Sequence, residues 1–278
     1  MSNAFLLIPI LLPMLLGGLF ALLPFHREKA KKLYLIASTL ATSAIMIFLI
    51  LRTNNELFAL FTFSGDLDIA LNLDGLGKIF AFLVCVLWPL TTIYALEYMK
   101  HESRQKMFYT FFLLSYGVTL GIAASGNLLT LYFFYELLTL CTLPLVLQPM
   151  NRASRRAGRS YLLYSIGGAA FAFIGMVFVF TYAGGAPFTM GGILSDAAWN
   201  KRDMLLVVYV AAFLGFGVKT AVFPLHAWLP KASVAPTPVT ALLHAVAVVK
   251  AGAFAVIRLT YYCFGTEFLF GTWAQNVV

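Results

Sequence analysis

A carboxylate, two amines and an imidazole stand in stretches otherwise too apolar to hold them. Glu136 lies in LLTLYFFYELLTLCTLPLVL, Lys219 in FLGFGVKTAVFPLHAWLP, and His244 and Lys250 in ALLHAVAVVKAGAFAVIR. A charge near the centre of a bilayer costs at least ~2.5–3.5 kcal/mol on the insertion scale, and residues that bear it usually line ion paths or pair with one another. Each has a plainer role beside the functional one. Glu136 is a structural ion-pair partner, a buried neutral acid, or a carboxylate that binds a proton. Lys219 stands beside a proline kink that serves packing alone, or it is an amine that takes up and releases a proton. For a lone buried histidine such as His244, a hydrogen bond to a neighbouring helix is the competing role.

The residues around Lys219 favour the functional role. A lysine stem extends only about a helical turn, so this amine lies too deep to reach the interface easily. Pro224, five positions on, lacks a backbone N–H and clashes with the carbonyl of Thr220. The helix is therefore expected to kink or open beside the amine, with Gly215 and Gly217 loosening the preceding turn. Carbonyls freed there can hold water, since irregular backbone at this depth is tolerated where it lines a cavity. His226 falls near a helix end and is an interfacial candidate. His244 and Lys250 point roughly 240° apart on an ideal helix. Either they face different cavities or the helix is distorted between them. Arg258 is placed near the outer edge, within reach of the interface.

Depths along the helices spread these groups across the layer. His244 lies roughly 9 Å and Lys250 roughly 18 Å in from one side; Glu136 lies roughly 12 Å and Lys219 roughly 22 Å in from the other. A proton relay needs titratable groups at successive levels.

The elements that position them follow from composition. Of 278 residues, 61% are hydrophobic and 11% charged, against about 25% charged in soluble domains. Apolar runs of roughly 20 residues recur, each long enough to cross a ~30 Å hydrocarbon layer. The fold class is all-α: a polytopic membrane protein of about eight transmembrane helices, at about 4–25, 33–51, 79–96, 107–124, 128–149, 160–183, 204–228 and 238–262. The first run lacks a basic start, so it is expected to be a span and not a cleaved signal peptide. Between spans 2 and 3, residues 57–78 are too polar to cross, and their partial alternation predicts an external hairpin.

Basic residues sort the connections. Twelve Lys and Arg fall after odd-numbered spans, including Arg152, Arg155, Arg156 and Arg159 in NRASRRAGR, against four after even-numbered ones. The positive-inside rule then puts both termini outside a multi-pass protein of the cell's inner (plasma) membrane. The arginine-rich stretch is most economically a topology signal in a loop, with contact to lipid headgroups a secondary role. The net charge of +8 does not imply nucleic acid, because no basic face carries interleaved aromatics. Cys85, Cys141 and Cys263 show no ligand spacing. Without a Walker motif, GxGxxG, CxxCH or an iron–sulfur cluster of cysteines, no cofactor or metal is expected.

At YELLTL, GFGVKTAVFPLHAWLPKA and APTPVTALLHAVAVVKAG the chain resembles the antiporter-like membrane subunits of respiratory complex I (NADH-quinone oxidoreductase), Mrp cation/proton antiporters and membrane-bound hydrogenases. The resemblance implies that Glu136 and Lys219 form the coupled pair of one half-channel. His244 would link it toward the subunit's centre, and Lys250 looks like a lysine that some hydrogenase and Mrp members carry. It implies three N-terminal helices with the hairpin in 1–106, the first five-helix repeat of the antiporter-like fold (spans 4–8) in 107–262, and a stub in 263–278. The family's second repeat is not found, so half of an antiporter-like subunit is expected.

The implied function is translocation of protons or sodium ions within an NADH dehydrogenase-like, hydrogenase or Mrp-type complex, with other membrane subunits and the lipid bilayer as partners. The competing account is a truncated, non-transporting scaffold.

Overall fold

Eight helices long and apolar enough to cross a membrane are found among the described residues of the computed structural model, which are 3–54, 56–65 and 67–278. They are span 1 (Ala4–Leu22), span 2 (Glu28–Arg52), span 3 (Gly75–His101), span 4 (Gln105–Ala123), span 5 (Leu128–Val146), span 6 (Arg152–Ala183), span 7 (Arg202–Ala232) and span 8 (Thr237–Phe264). The expected class and number of helices are those observed. Several helices begin earlier than hydropathy places them, because polar first turns are helical once capped. Asp74 accepts from the Gly77 amide at 2.9 Å at the start of span 3, whereas span 5, capped by Asn127 on the Thr130 amide at 2.9 Å, begins where expected.

Span 6 departs most from expectation. The arginine-rich stretch expected as a loop forms its first turns. Asn151 accepts from the Ser154 amide at 2.7 Å, and Ser154, Ala157 and Gly158 turn a buried face inward. Gly158 packs those turns closely against Leu143 of span 5 and Leu147 just beyond its end.

Helices pack where small residues let backbones close, as in membranes generally. Gly117 on span 4 meets the Ile10 carbonyl and Met14 of span 1, so span 4 lies deep between spans 1 and 5. Gly168 and Gly175 of span 6 meet Gly215, Val218 and Ala212 of span 7. Span 8 packs along span 7.

The expected hairpin is present as β1 (Phe58–Ser64) and β2 (Leu67–Leu71), antiparallel; Asp66 of that segment lies outside the described residues. It is stitched to the start of span 5, where the Ala70 amide donates to Thr130 Oγ1 at 2.8 Å and Asn127 Nδ2 donates to Asp68 Oδ1 at 2.7 Å.

Candidate functional site

Span 7 breaks where the proline predicts. Its α-helix runs Arg202–Thr220, and Ala221 turns left-handed at φ 58. A 3-10 turn at Leu225–Ala227 and a short helix at Trp228–Ala232 follow. Lys219 is the penultimate residue before the break and is 1% exposed.

The protein itself supplies donors to the carbonyls just before the break. Tyr135 Oη donates to the Phe216 carbonyl at 2.6 Å, the Val222 amide to Gly217 at 3.1 Å, and Trp228 Nε1 to Val218 at 2.7 Å. Two aromatic side chains with polar tips thus reach the opened turn, while the carbonyls of Lys219 and Thr220 accept no hydrogen bond among the described residues. Trp228 also packs on Tyr161 of span 6, with ring centroids 5.1 Å apart.

The Lys219 side chain crosses to span 5. Its Nζ lies 3.5 Å from Glu136 Oε1 and 3.3 Å from the centroid of the Tyr135 ring, and donates to the Tyr135 carbonyl. The amine is thus held by a carboxylate, an aromatic face and a backbone dipole supplied by two consecutive residues. Glu136 is 27% exposed, so the pair joins a sealed amine to a partly exposed acid. Glu136 Oε1, Thr139 Oγ1 one turn on, and Thr220 Oγ1 beside Lys219 are buried without a hydrogen-bond partner among the described residues. Buried polar atoms left without a hydrogen bond are few in native proteins and call for an explanation.

Span 8 closes against this break. Gly252 sits where a Cβ would strike the Thr220 amide and hydroxyl and the Lys219 carbonyl carbon, so only glycine allows this approach. The helix is distorted between His244 and Lys250: residues Leu242–Val246 form a π turn, closed by the Ala247 amide on the Leu242 carbonyl at 2.9 Å. His244 is partly buried and approaches Ser233 Oγ at 3.4 Å, while Lys250 faces outward, exposed. The structure therefore brings Glu136 and Lys219 together. Among the described residues, no hydrogen bond or ion pair joins His244 or Lys250 to them.

Arg258 does not reach the interface as expected. It is 1% exposed and makes a two-pronged ion pair with Asp74, with Nη1 2.6 Å from Oδ2. Phe188, Phe254 and Tyr262 surround its guanidinium with centroids 4.4–4.9 Å away. The physical reason is the acid at the cap of span 3, which gives a deep arginine a planar partner.

Residues 125–278 match the family model described as NADH:quinone oxidoreductase/Mrp antiporter, TM. The chain belongs to this family. Residues 61–109 further match the model described as NADH-Ubiquinone oxidoreductase (complex I), chain 5 N-terminus. Among curated relatives, a probable K(+)/H(+) antiporter subunit from Rhizobium meliloti is 34% identical over 72% of this chain and 20% of its own length. An Na(+)/H(+) antiporter subunit from Alkalihalophilus pseudofirmus is 35% identical over 67% and 23%, and the chloroplastic NAD(P)H-quinone oxidoreductase subunit 5 of Citrus sinensis 29% over 91% and 36%. The chain thus spans about a fifth to about a third of the length of these relatives. A chain of the archaeal membrane-bound sulfane sulfur reductase shares the fold with TM-score 0.77 and 21% identity, over 93% of this chain and 53% of that one. A chain of the Mrp complex from Dietzia sp. DQ12-45-1b does so with TM-score 0.76 and 22% identity, over 91% and 28%.

Tyr135, Trp228 and Gly252 are the site residues that sequence reasoning passed over. Tyr135 and Trp228 lie inside the motifs already singled out, YELL and HAWLP, where an aromatic next to a buried charge or a proline was the available signal.

Proposed function

We propose that this chain moves protons, or sodium ions, as a membrane subunit of a redox-driven or Mrp-type complex, through Glu136, Lys219 and His244 in series, with Lys250 beyond. The observation that carries this reading is the Glu136–Lys219 pair, held across two spans beside a broken helix. Low-dielectric surroundings disfavour a charged amine and a nearby carboxylate favours it. A change in their separation therefore moves a proton onto or off the amine, and each tenfold change in proton affinity needs only ~1.4 kcal/mol.

On this reading residues 107–262 act as one half-channel, with the three helices and hairpin of 1–106 on one side and 263–278 leading onward. The exposed amine of Lys250 needs another membrane subunit or segment against span 8, since lipid is a poor neighbour for it. The plasma membrane, with both termini outside, is the proposed location. A non-transporting scaffold draws support from one observation, the protein donors that meet the carbonyls of Phe216, Gly217 and Val218 just before the break.

The deciding experiment is proton uptake by sealed vesicles carrying the assembled complex, with Lys219→Ala and Glu136→Gln compared against the unaltered chain. Loss of uptake with assembly intact supports translocation; undiminished uptake by both variants supports the scaffold.

A further inference from the structure

Four arginines stand in the first two turns of span 6, at Arg152, Arg155, Arg156 and Arg159. The spacing places them on one face, and all four are exposed. None is paired with a carboxylate among the described residues. Cations at a helix N-terminus oppose the helix dipole, so this stripe works against the helix that carries it and an anion laid on it would offset that cost.

The length of span 6 says where the stripe lies. Its 32 residues extend ~48 Å, more than the ~30 Å of hydrocarbon and about the ~40–45 Å that includes the headgroups. The arginines occupy the first ~10 Å, at headgroup depth. Their face continues into Leu163, Ile166 and Phe173, all exposed, as a lipid-facing surface would. Alongside it, Leu163, Tyr164, Gly167 and Phe171 of span 6 and Val218 and Leu225 of span 7 line an apolar groove of about 260 Å³. Val218 and Leu225 bracket the break in span 7. The segment Trp228–Ala232 packs against span 6 and leaves Lys231 exposed.

We infer that this face binds an anionic phospholipid, its phosphate on the arginine stripe and an acyl chain in the groove against the break of span 7. Guanidinium groups pair with phosphate oxygens through two parallel hydrogen bonds, and the groove offers the tail an apolar bed one turn below. A zwitterionic lipid fits the groove but not the unpaired charge.

The test uses the intact chain, purified in mild detergent and equilibrated with equimolar phosphatidylglycerol and phosphatidylcholine, with bound lipids counted by native mass spectrometry. The unaltered chain is expected to keep phosphatidylglycerol in excess. Combined Arg152→Gln, Arg156→Gln and Arg159→Gln should reduce that excess by about fivefold per arginine engaged, the order expected for a basic side chain at an anionic surface. The same three positions changed to Lys should keep most of it, which separates lost charge from lost folding. Gly167→Leu, where a Cβ meets nothing within 4 Å, should fill the groove and lower retention of both lipids without touching the charge. Equal retention of the two lipids by the unaltered chain, or an excess unmoved by the Gln substitutions, would overturn the inference. So would loss of a co-purifying subunit in the Gln variant with lipid retention unchanged, because the stripe would then face an acidic protein surface.

Discussion

Lys219 and Glu136 stand 3.5 Å apart, yet the amine donates its hydrogen bond to the carbonyl of Tyr135 and not to the acid. At 3.5 Å the ion pair is long for a hydrogen bond, while the amine is anchored to the backbone of span 5. Tyr135 is the hinge of this arrangement: its carbonyl and ring hold the amine while its hydroxyl holds the Phe216 carbonyl.

Tyr135→Phe should therefore keep the ring against Lys219 and lose only the strap to span 7. The Phe216 carbonyl keeps its place in the helical ladder of span 7, so losing this second bond should cost about 0.5–1.5 kcal/mol. Thermal unfolding in detergent is expected to shift down accordingly; an unchanged midpoint would mean that the strap carries no load.

Gly252→Ala puts a methyl against the backbone of residues 219 and 220. Backbone cannot yield as a flexible side chain does, so span 8 must move outward, at an expected cost of about 1–3 kcal/mol. Reduced stability together with reduced ion uptake is the expected outcome. A variant with wild-type melting behaviour would show that the approach of span 8 to the break is not tight.

The Arg258–Asp74 pair ties span 8 to the cap of span 3. Arg258→Met alone leaves a partly buried carboxylate without its partner and should destabilise by about 3–5 kcal/mol. Adding Asp74→Asn, which can still cap span 3, should recover much of that loss. A double-mutant cycle with no coupling between the two positions would contradict the clamp.

Much of this was legible in the sequence. The eight spans follow from hydropathy, and the break in span 7 from Pro224 beside Lys219. What hydropathy misses is the polar start of a helix. It reports the part that crosses hydrocarbon, so the arginine turns of span 6 looked like a loop until Asn151 and the buried faces of Ser154 and Gly158 fixed them as helix. Arg258 was misplaced for a related reason: its partner Asp74 is 184 residues away, and no local pattern announces so distant a pairing. The distortion at His244 was one of two alternatives, and only packing could choose between them.

Topology is open to direct labelling. The alternation of basic connections predicts that the start of span 6 and the segment before span 7 face opposite sides. Ser154 is buried, so the probe belongs at Ala153, which is exposed, with its counterpart at the exposed Ser195. Cysteines at 153 and 195 should react with a membrane-impermeant maleimide from opposite sides of sealed vesicles. Reaction of both from one side would reverse the proposed orientation of span 6.

The most direct test of the account is proton uptake by the assembled complex in vesicles, driven by its own energy source, as position 219 is varied. Lys219→Ala should abolish or strongly reduce uptake while native gels show unaltered assembly. Lys219→Arg should not rescue it, because a guanidinium keeps its charge but does not release its proton in this range. Glu136→Gln should impair uptake by taking away the charge that favours the protonated amine. Full uptake by an assembled Lys219→Ala complex would contradict the account and leave Lys219 a structural charge.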